Sequence, residues 1–360
     1  MSRVFNFNAG PATLPAEVLE EVRNDLLDWR GCGMSVMEMS HRAEPFATIA
    51  HEAEADLRSL LGVSDDYHVL FLQGGATAQF AAIPMNLLGK DAHTDYVVTG
   101  GWSAKAADEC GKYAHVGIAA QPQGKIYTHI PARDTWTLDE HAAYLYYCAN
   151  ETVHGVEFQY TPEGIKCPLV ADFSSCFLSR SVDVNRFGLL YAGAQKNAGI
   201  AGLTVVIVRK DLCGHAQPIT PRVLDYQVMA TAGSMLNTPP TFAWYVSGRV
   251  FKWLLNNGGL AAIGARNARK SKQLYDYLDS QDFYTNPIAA ADRSRMNVVF
   301  TLADKTLDKA FLDGAKAAGM VGLKGHRSVG GMRASLYNAL PEGAVATLVS
   351  YMQEFVRTRG

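Results

Sequence analysis

Short, almost unbroken apolar runs recur along the first part of the chain: HVLFL at 68–72, DYVVT at 95–99, AYLYYC at 143–148, PLVA at 168–171, GLLYA at 188–192 and LTVVIV at 203–208. Such runs suit strands covered on both faces. Helical or loop stretches separate the early ones. That alternation predicts an α/β layer structure around a mostly parallel sheet. The last two runs are too close for a helical crossover and are expected to pair antiparallel at the sheet edge. Upstream, Phe46, Ile49, Ala50, Ala53, Leu57 and Leu60 share one face of a helix over 45–61, which Gly62 should stop.

The pattern changes near NNGG at 256–259. Helix LAAIGARNARKSKQLYDYLDS, strand MNVVFTL, helix LDKAFLDGAKAAG, strand GMRASLYNA and helix EGAVATLVSYMQEFVRTR follow. With 360 residues the chain exceeds one typical domain. The expected organisation is a large α/β domain over 16–257 and a smaller α+β domain over 258–360. The N-terminal segment 1–15 is expected to pack on the smaller one.

At 48% hydrophobic and 19% charged residues the chain can build large cores. Its net charge of −2 offers no electrostatic footprint for nucleic acid or an anionic membrane. The start, MSRVFNFNAGPATLP, has no signal-peptide core, and LTVVIV is too short to span a bilayer. Six scattered cysteines without a C-x-x-C read as reduced thiols of a cytoplasmic protein. HEAEA at 51–55 is half a zinc-protease motif with Ala55 in place of the second histidine, so no metal site is expected.

Several residues could carry chemistry. LFLQGGATAQF places a glycine turn between a strand and a helix, whose free N–H groups suit a phosphate. It has neither a P-loop lysine nor G-x-G-x-x-G, and an ordinary strand–helix turn reads the same way. Asp172 ends the run PLVA, where ligands of open α/β sheets bind, though a turn or cap aspartate is the commoner explanation. Lys196 lies in YAGAQKNAGIAG among small residues that let a bulky group approach. Partial burial would favour its neutral, nucleophilic amine. Taken alone, the position is better described as a solvated turn lysine. Arg333 falls inside a strand-like run, where a guanidinium forks onto an anion, either a ligand's or a structural carboxylate. His41-Arg42 and His326-Arg327 are two His-Arg pairs, each compatible with loop surface. Trp102 follows a strand and could cover a planar ligand or fill the core.

Seven strings bring these positions together. They are NFNAGPATLP (6–15), SVMEMSHR (35–42), NETVHGVEF (150–158), ADFSS (171–175), YAGAQKN (191–197), NTPPTFAWY (237–245) and GHRSVGGMRASLYNA (325–339). In this order they resemble, over the whole length, the fold-type I, class-V-like pyridoxal-phosphate-dependent aminotransferases, and within them the phosphoserine aminotransferase family.

The resemblance implies a fold and a set of roles. The fold would be that of aspartate aminotransferase, with 16–257 binding the cofactor, pyridoxal 5′-phosphate. Lys196 would carry the cofactor as a Schiff base and act as base. Asp172 would pair with the pyridinium nitrogen, Trp102 would stack on the ring, and Thr152 would bond its phenolic oxygen. Ala76, Thr77 and Gln195 would hold the phosphate, joined by Asn237 and Thr238 of a second subunit in a homodimer with shared sites. Arg333 would take the substrate's α-carboxylate. His41 and Arg42, with His326 and Arg327 from the partner chain, would take the substrate phosphate or glutamate's distal carboxylate. Some family members carry an arginine where this chain has Thr77, so its phosphate clamp would rest on the other pairs.

The implied reaction is ping-pong transamination between phosphoserine and 2-oxoglutarate in serine biosynthesis. A related step toward pyridoxine, forming 4-phosphohydroxy-L-threonine, is permitted. A serine–glyoxylate-type aminotransferase or a cysteine desulfurase keeps the fold, but the His-Arg pairs favour a phosphorylated substrate. No obvious catalytic cysteine supports the desulfurase. A nicotinamide dehydrogenase would want the absent G-x-G-x-x-G.

Overall fold

The structure is a computed structural model that describes residues 3–89 and 92–359. Residues 1, 2, 90, 91 and 360, which fall within the expected domain spans, lie outside it. The chain opens with β1 (Phe5–Asn6), α1 (Ala16–Asn24) and α2 (Glu44–Leu61). The helix expected over 45–61 forms, buries Phe46, Ile49, Ala50, Ala53 and Leu57, and ends on Gly62 in the left-handed conformation.

The large sheet then builds from β2 (Tyr67–Leu72), β3 (His93–Val97), β4 (His115–Ala120), β5 (Leu145–Cys148), β8 (Leu169–Asp172), β9 (Leu189–Gly193) and β10 (Thr204–Arg209). A small hairpin of β6 (Asn150–Glu151) and β7 (Val156–Glu157) lies between β5 and β8. Helices α3 (Gly75–Leu87) and α4 (Gly101–Cys110) follow β2 and β3. The strand order is β2-β10-β9-β8-β5-β3-β4. Pairs from β9 to β4 are parallel, whereas β10 runs antiparallel to both β9 and β2.

The antiparallel pairing of the last two runs is therefore as expected, but β10 is not the edge. β2 lies outside it, in register from Thr204 opposite Leu72 to Arg209 opposite Tyr67. The reason is burial. Thr204–Val208 are all buried, so this strand needs a neighbour on both sides. The edge falls to β2, where the Phe71 N–H donates to Ser234 Oγ at 3.0 Å rather than to a further strand.

Alternate residues of the sheet feed two cores. Val69, Phe71, Tyr147, Val205 and Ile207 face one, and Leu70, Leu72, Tyr146, Val206 and Val208 face the other. The first core receives α2 and α6 (Thr241–Asn256), where Trp244 stacks on Phe71 at 4.4 Å and meets the edge of Phe46 at 5.8 Å. Burying one such ring stabilises by about 1.5–3 kcal/mol. The short helix α5 (Tyr226–Thr231) precedes α6 and contributes Tyr226 and Met229 to the second core.

Beyond α7 (Gly259–Asp279), an antiparallel sheet of β11 (Tyr284–Thr285), β12 (Asn297–Leu302) and β14 (Met332–Ser335) packs with α8 (Asp308–Ala317) and α9 (Glu342–Arg359). Leu274, Val298, Phe300, Phe311, Ala334 and Leu348 make its separate core. β1 joins this region by pairing parallel with β13 (Met320–Val321), and Phe7 is buried in the same core.

The turn after β9 is pressed against α6. A Cβ on Gly199 would overlap the Ser247 hydroxyl and come within 3.2 Å of Ser247 Cα. Gly199→Ala is therefore expected to lower stability by about 2 kcal/mol, the scale of enforced steric strain. Urea unfolding checks this, and an unchanged midpoint would show that α6 yields at no cost.

Candidate active site

The carboxyl ends of β2, β5, β8 and β9 open into one cavity of about 150 Å³. Position fixes its walls, because a residue leaving a parallel strand projects into the crevice above the sheet. After β2 come Gly75, Ala76 and Thr77. From β5 onward come Cys148, Asn150 and Thr152. β8 supplies Asp172, followed by Ser174 and Ser175, and after β9 come Gln195 and Lys196. Trp102 enters from the first turn of α4.

Lys196 sits on the single helical turn that follows β9, closed by the Ala198 N–H to Ala194 O at 3.1 Å. Its Nζ donates to Thr152 Oγ1 at 2.7 Å and lies 5.9 Å from the centre of the Trp102 ring. Burial lowers its pKa, and the Asp172 carboxylate only partly opposes the shift. The N-terminal segment covers it from above. The Ala12 N–H donates to Gln195 O at 2.9 Å, and a Cβ on Gly10 would lie 3.2 Å from Lys196 Cγ.

Asp172 is 5% exposed and is the last residue of β8. Its Oδ1 accepts the Ser174 N–H at 2.7 Å, and Ser174 Oγ accepts the Gly193 N–H at 3.1 Å. Among the described residues no cation pairs with this carboxylate within 4.0 Å. A buried carboxylate in that state calls for a positive partner. A second vacancy adjoins it. α3 begins at Gly75 with no side-chain cap and no acidic residue in its first turn, so its leading N–H groups are free for an anion. Together these groups match both ends of pyridoxal phosphate, a cationic ring nitrogen and a phosphate.

Arg333 lies half-buried in β14. Its Nη1 donates to Thr152 O at 3.3 Å, and its Nε is buried with no partner. No structural carboxylate claims it among the described residues, which leaves its fork for a ligand's anion. Burial lowers its pKa. His326 is neighboured electrostatically by its own chain's Arg333, Arg327 and Lys105, which add to burial in lowering its pKa. Its Nδ1 lies 2.7 Å from Ser328 Oγ. With Arg327 it lines a separate, wider cleft of about 830 Å³. His41, Arg42, Asn237 and Thr238 do not line the Lys196 cavity of their own chain. Arg42, Asn237 and Thr238 are exposed, whereas His41 Nε2 is buried without a partner. A further hollow of about 350 Å³, near Arg3, Trp253 and Arg266, holds none of the strand-end residues.

Sequence reasoning did not single out Phe80, Cys148, Asn150, Ser174 or Ser175, all of which line the cavity. Ser174 and Ser175 stand directly after Asp172, so their placement was a usable signal. Asn150 had none, because its role depends on distant partners. Its Nδ2 donates to Ser175 Oγ at 2.7 Å and to Asn297 Oδ1 at 2.8 Å. Asn197, beside the lysine, accepts the Asn338 N–H at 2.9 Å.

A buried lysine in a strand-end crevice, near an unpaired buried carboxylate, is how fold-type I pyridoxal-phosphate enzymes are built, and the Aminotransferase class-V family model matches residues 4–348. Phosphoserine aminotransferase of Pseudomonas aeruginosa (strain LESB58) is 56% identical over 358 residues, 99% of each chain. That of Hahella chejuensis (strain KCTC 2396) is 56% identical over 353 residues, 98% of each. The solved phosphoserine aminotransferase from Bacillus circulans subsp. alkalophilus superposes with a TM-score of 0.97 at 44% identity, covering 99% of both chains. The chain belongs to the phosphoserine aminotransferase family of pyridoxal-phosphate-dependent transaminases.

Proposed function

We propose that this enzyme interconverts O-phospho-L-serine plus 2-oxoglutarate with 3-phosphooxypyruvate plus L-glutamate, by a ping-pong route, with pyridoxal phosphate held at Lys196. The observation that carries the residue assignment is the cavity itself. It pairs a lysine amine with a buried, uncompensated Asp172 beside an open helix N-terminus.

Bound pyridoxal phosphate supplies an aldehyde for the amino group and an electron-withdrawing ring for the charge that develops at the α-carbon. The chain's residues do the rest. Lys196 Nζ holds the cofactor and, when freed, takes the substrate's α-proton, for which its lowered pKa supplies a neutral amine. Thr152 Oγ1 orients that amine, as its 2.7 Å bond does here, and bonds the phenolic oxygen. Asp172 keeps the ring nitrogen protonated. Trp102 covers the ring. Ala76, Thr77 and Gln195 receive the phosphate.

Arg333 takes the α-carboxylate common to both substrates. His41, Arg42, His326 and Arg327 serve the distal anion, phosphate in one substrate and carboxylate in the other, a pairing that arginine and histidine can both satisfy. His326 and Arg327 line a cleft apart from the Lys196 cavity of their own chain, which fits their serving the site of a second subunit. Asn237 and Thr238, exposed and outside their own cavity, would serve a second subunit's phosphate in a homodimer. No helix among the described residues is long and apolar enough to cross a membrane, and all six cysteines are free, which fits a cytoplasmic enzyme of serine biosynthesis. The related step toward pyridoxine would use the same anion contacts.

The test is discrimination at the distal group. Glutamate formation from 2-oxoglutarate should be at least about 10³-fold more efficient in kcat/KM with phosphoserine than with L-serine. The reason is that serine would leave the distal cationic donors without their anion. Equal efficiencies would overturn the phosphate assignment and favour a serine–glyoxylate-type activity.

A further inference from the structure

Two helix N-termini meet at the cavity, and the protein treats them differently. That of α3 is open. That of α4 is filled from a segment about fifty residues away. The Trp102 N–H donates to Glu151 Oε2 at 3.0 Å, and the Ser103 N–H donates to Glu151 Oε1 at 2.8 Å. Ser103 Oγ donates to the same Oε1 at 2.6 Å, and the Gly101 N–H donates to His154 Nδ1 at 3.3 Å. All three leading N–H groups of α4 are thus satisfied by residues 151 and 154. The fit is tight, because a Cβ on Gly100 would overlap the Glu151 carboxyl group.

Glu151 is fully buried. An ordinary helix needs only a Ser, Thr, Asp or Asn at its own N-cap. Burying a glutamate from another element is a costly substitute, and its location suggests what it achieves. The next residue, Thr152, accepts the Lys196 amine. One dipeptide therefore grips the backbone of Trp102 with its first side chain and Lys196 with its second. His154 must be neutral to accept at Nδ1, and burial holds its pKa down to about 4, so the cap persists across the neutral range.

We propose that Glu151 is a positioning residue for cofactor binding: by fixing the backbone of Trp102 it sets the indole relative to Thr152 and Lys196. The inference rests on the reading that Trp102 covers the cofactor ring.

A double-mutant cycle on the full-length protein tests it. Wild type, Glu151→Gln, Trp102→Ala and the double variant are stripped of cofactor and titrated with pyridoxal phosphate. Visible absorbance and circular dichroism follow the binding. Glu151→Gln keeps the shape but sets an NH₂ against an N–H. It should raise the dissociation constant about tenfold, equivalent to about 1.4 kcal/mol, and shrink the induced dichroic band. Trp102→Ala should also weaken binding. The double variant should bind no worse than Trp102→Ala alone, since Glu151 acts through that ring.

Additive losses would overturn the inference, because a cap that served only overall stability would weaken binding equally in both backgrounds. An unchanged constant for Trp102→Ala would overturn the placement of Trp102, and the inference with it. If Glu151→Gln does not fold, Glu151→Asp takes its place in the cycle. That variant keeps the charge, shortens the reach and is judged by the same non-additivity.

Discussion

Replacing Lys196 by alanine should abolish turnover and leave a folded protein. One positioned base contributes about 10²–10⁴-fold, and removing a group proposed also to hold the cofactor places the loss at the upper end of that range or beyond. The fold should survive because the side chain makes one hydrogen bond, to Thr152, and no ion pair among the described residues. Its neighbours hold the turn in place, through Ala12 to Gln195 and Asn338 to Asn197. The measurement is a phosphoserine-dependent assay with thermal melting of the same sample. Borohydride treatment should fix cofactor to the wild type at Lys196 and leave none on the variant. Near-normal turnover in Lys196→Ala would sink the assignment.

Asp172→Asn should cost about 10²–10³-fold in kcat, the scale of removing one charged group that stabilises charge in the reaction. The substitution preserves shape and can still accept the Ser174 N–H. It removes the negative charge that would keep a ring nitrogen protonated, and each unit of lost pKa shift amounts to about 1.36 kcal/mol. KM should change far less than kcat, because Asp172 lines the Lys196 cavity while Arg333, the residue proposed for the substrate carboxylate, is not among its lining residues. Apo-protein stability should hold or rise, since the variant no longer buries an uncompensated charge. A variant with wild-type kcat would show that Asp172 serves the fold alone.

The central strands were legible because burial on both faces writes itself into the sequence as unbroken apolar runs. β4 was not. Its HVGIAA is exposed at His115, Gly117 and Ile118, and it lies at the far edge of the sheet. The insertion of β10 between β9 and β2 was also hidden, because pairing is a decision between segments over a hundred residues apart. Asp172, Lys196 and Trp102 could be singled out by their places after strands, while their pairing into one site came from the longer strings. Glu151 escaped notice although it adjoins Thr152. A capping carboxylate ordinarily sits within a few residues of its helix, and this one reaches across 48. Arg333 reads from sequence as either a structural or a ligand-binding arginine, and among the described residues no carboxylate pairs with it.

The interlocking of early, middle and late segments around Lys196 also bears on when the enzyme can first work. Asn150 leans on Asn297, Asn197 on Asn338, and the Tyr337 hydroxyl donates to the Ala9 carbonyl at 2.9 Å. During synthesis the lysine emerges from the ribosome well before Asn338, so the burial that lowers its pKa is not yet in place. The pocket around Lys196 is complete only once these late residues are in place.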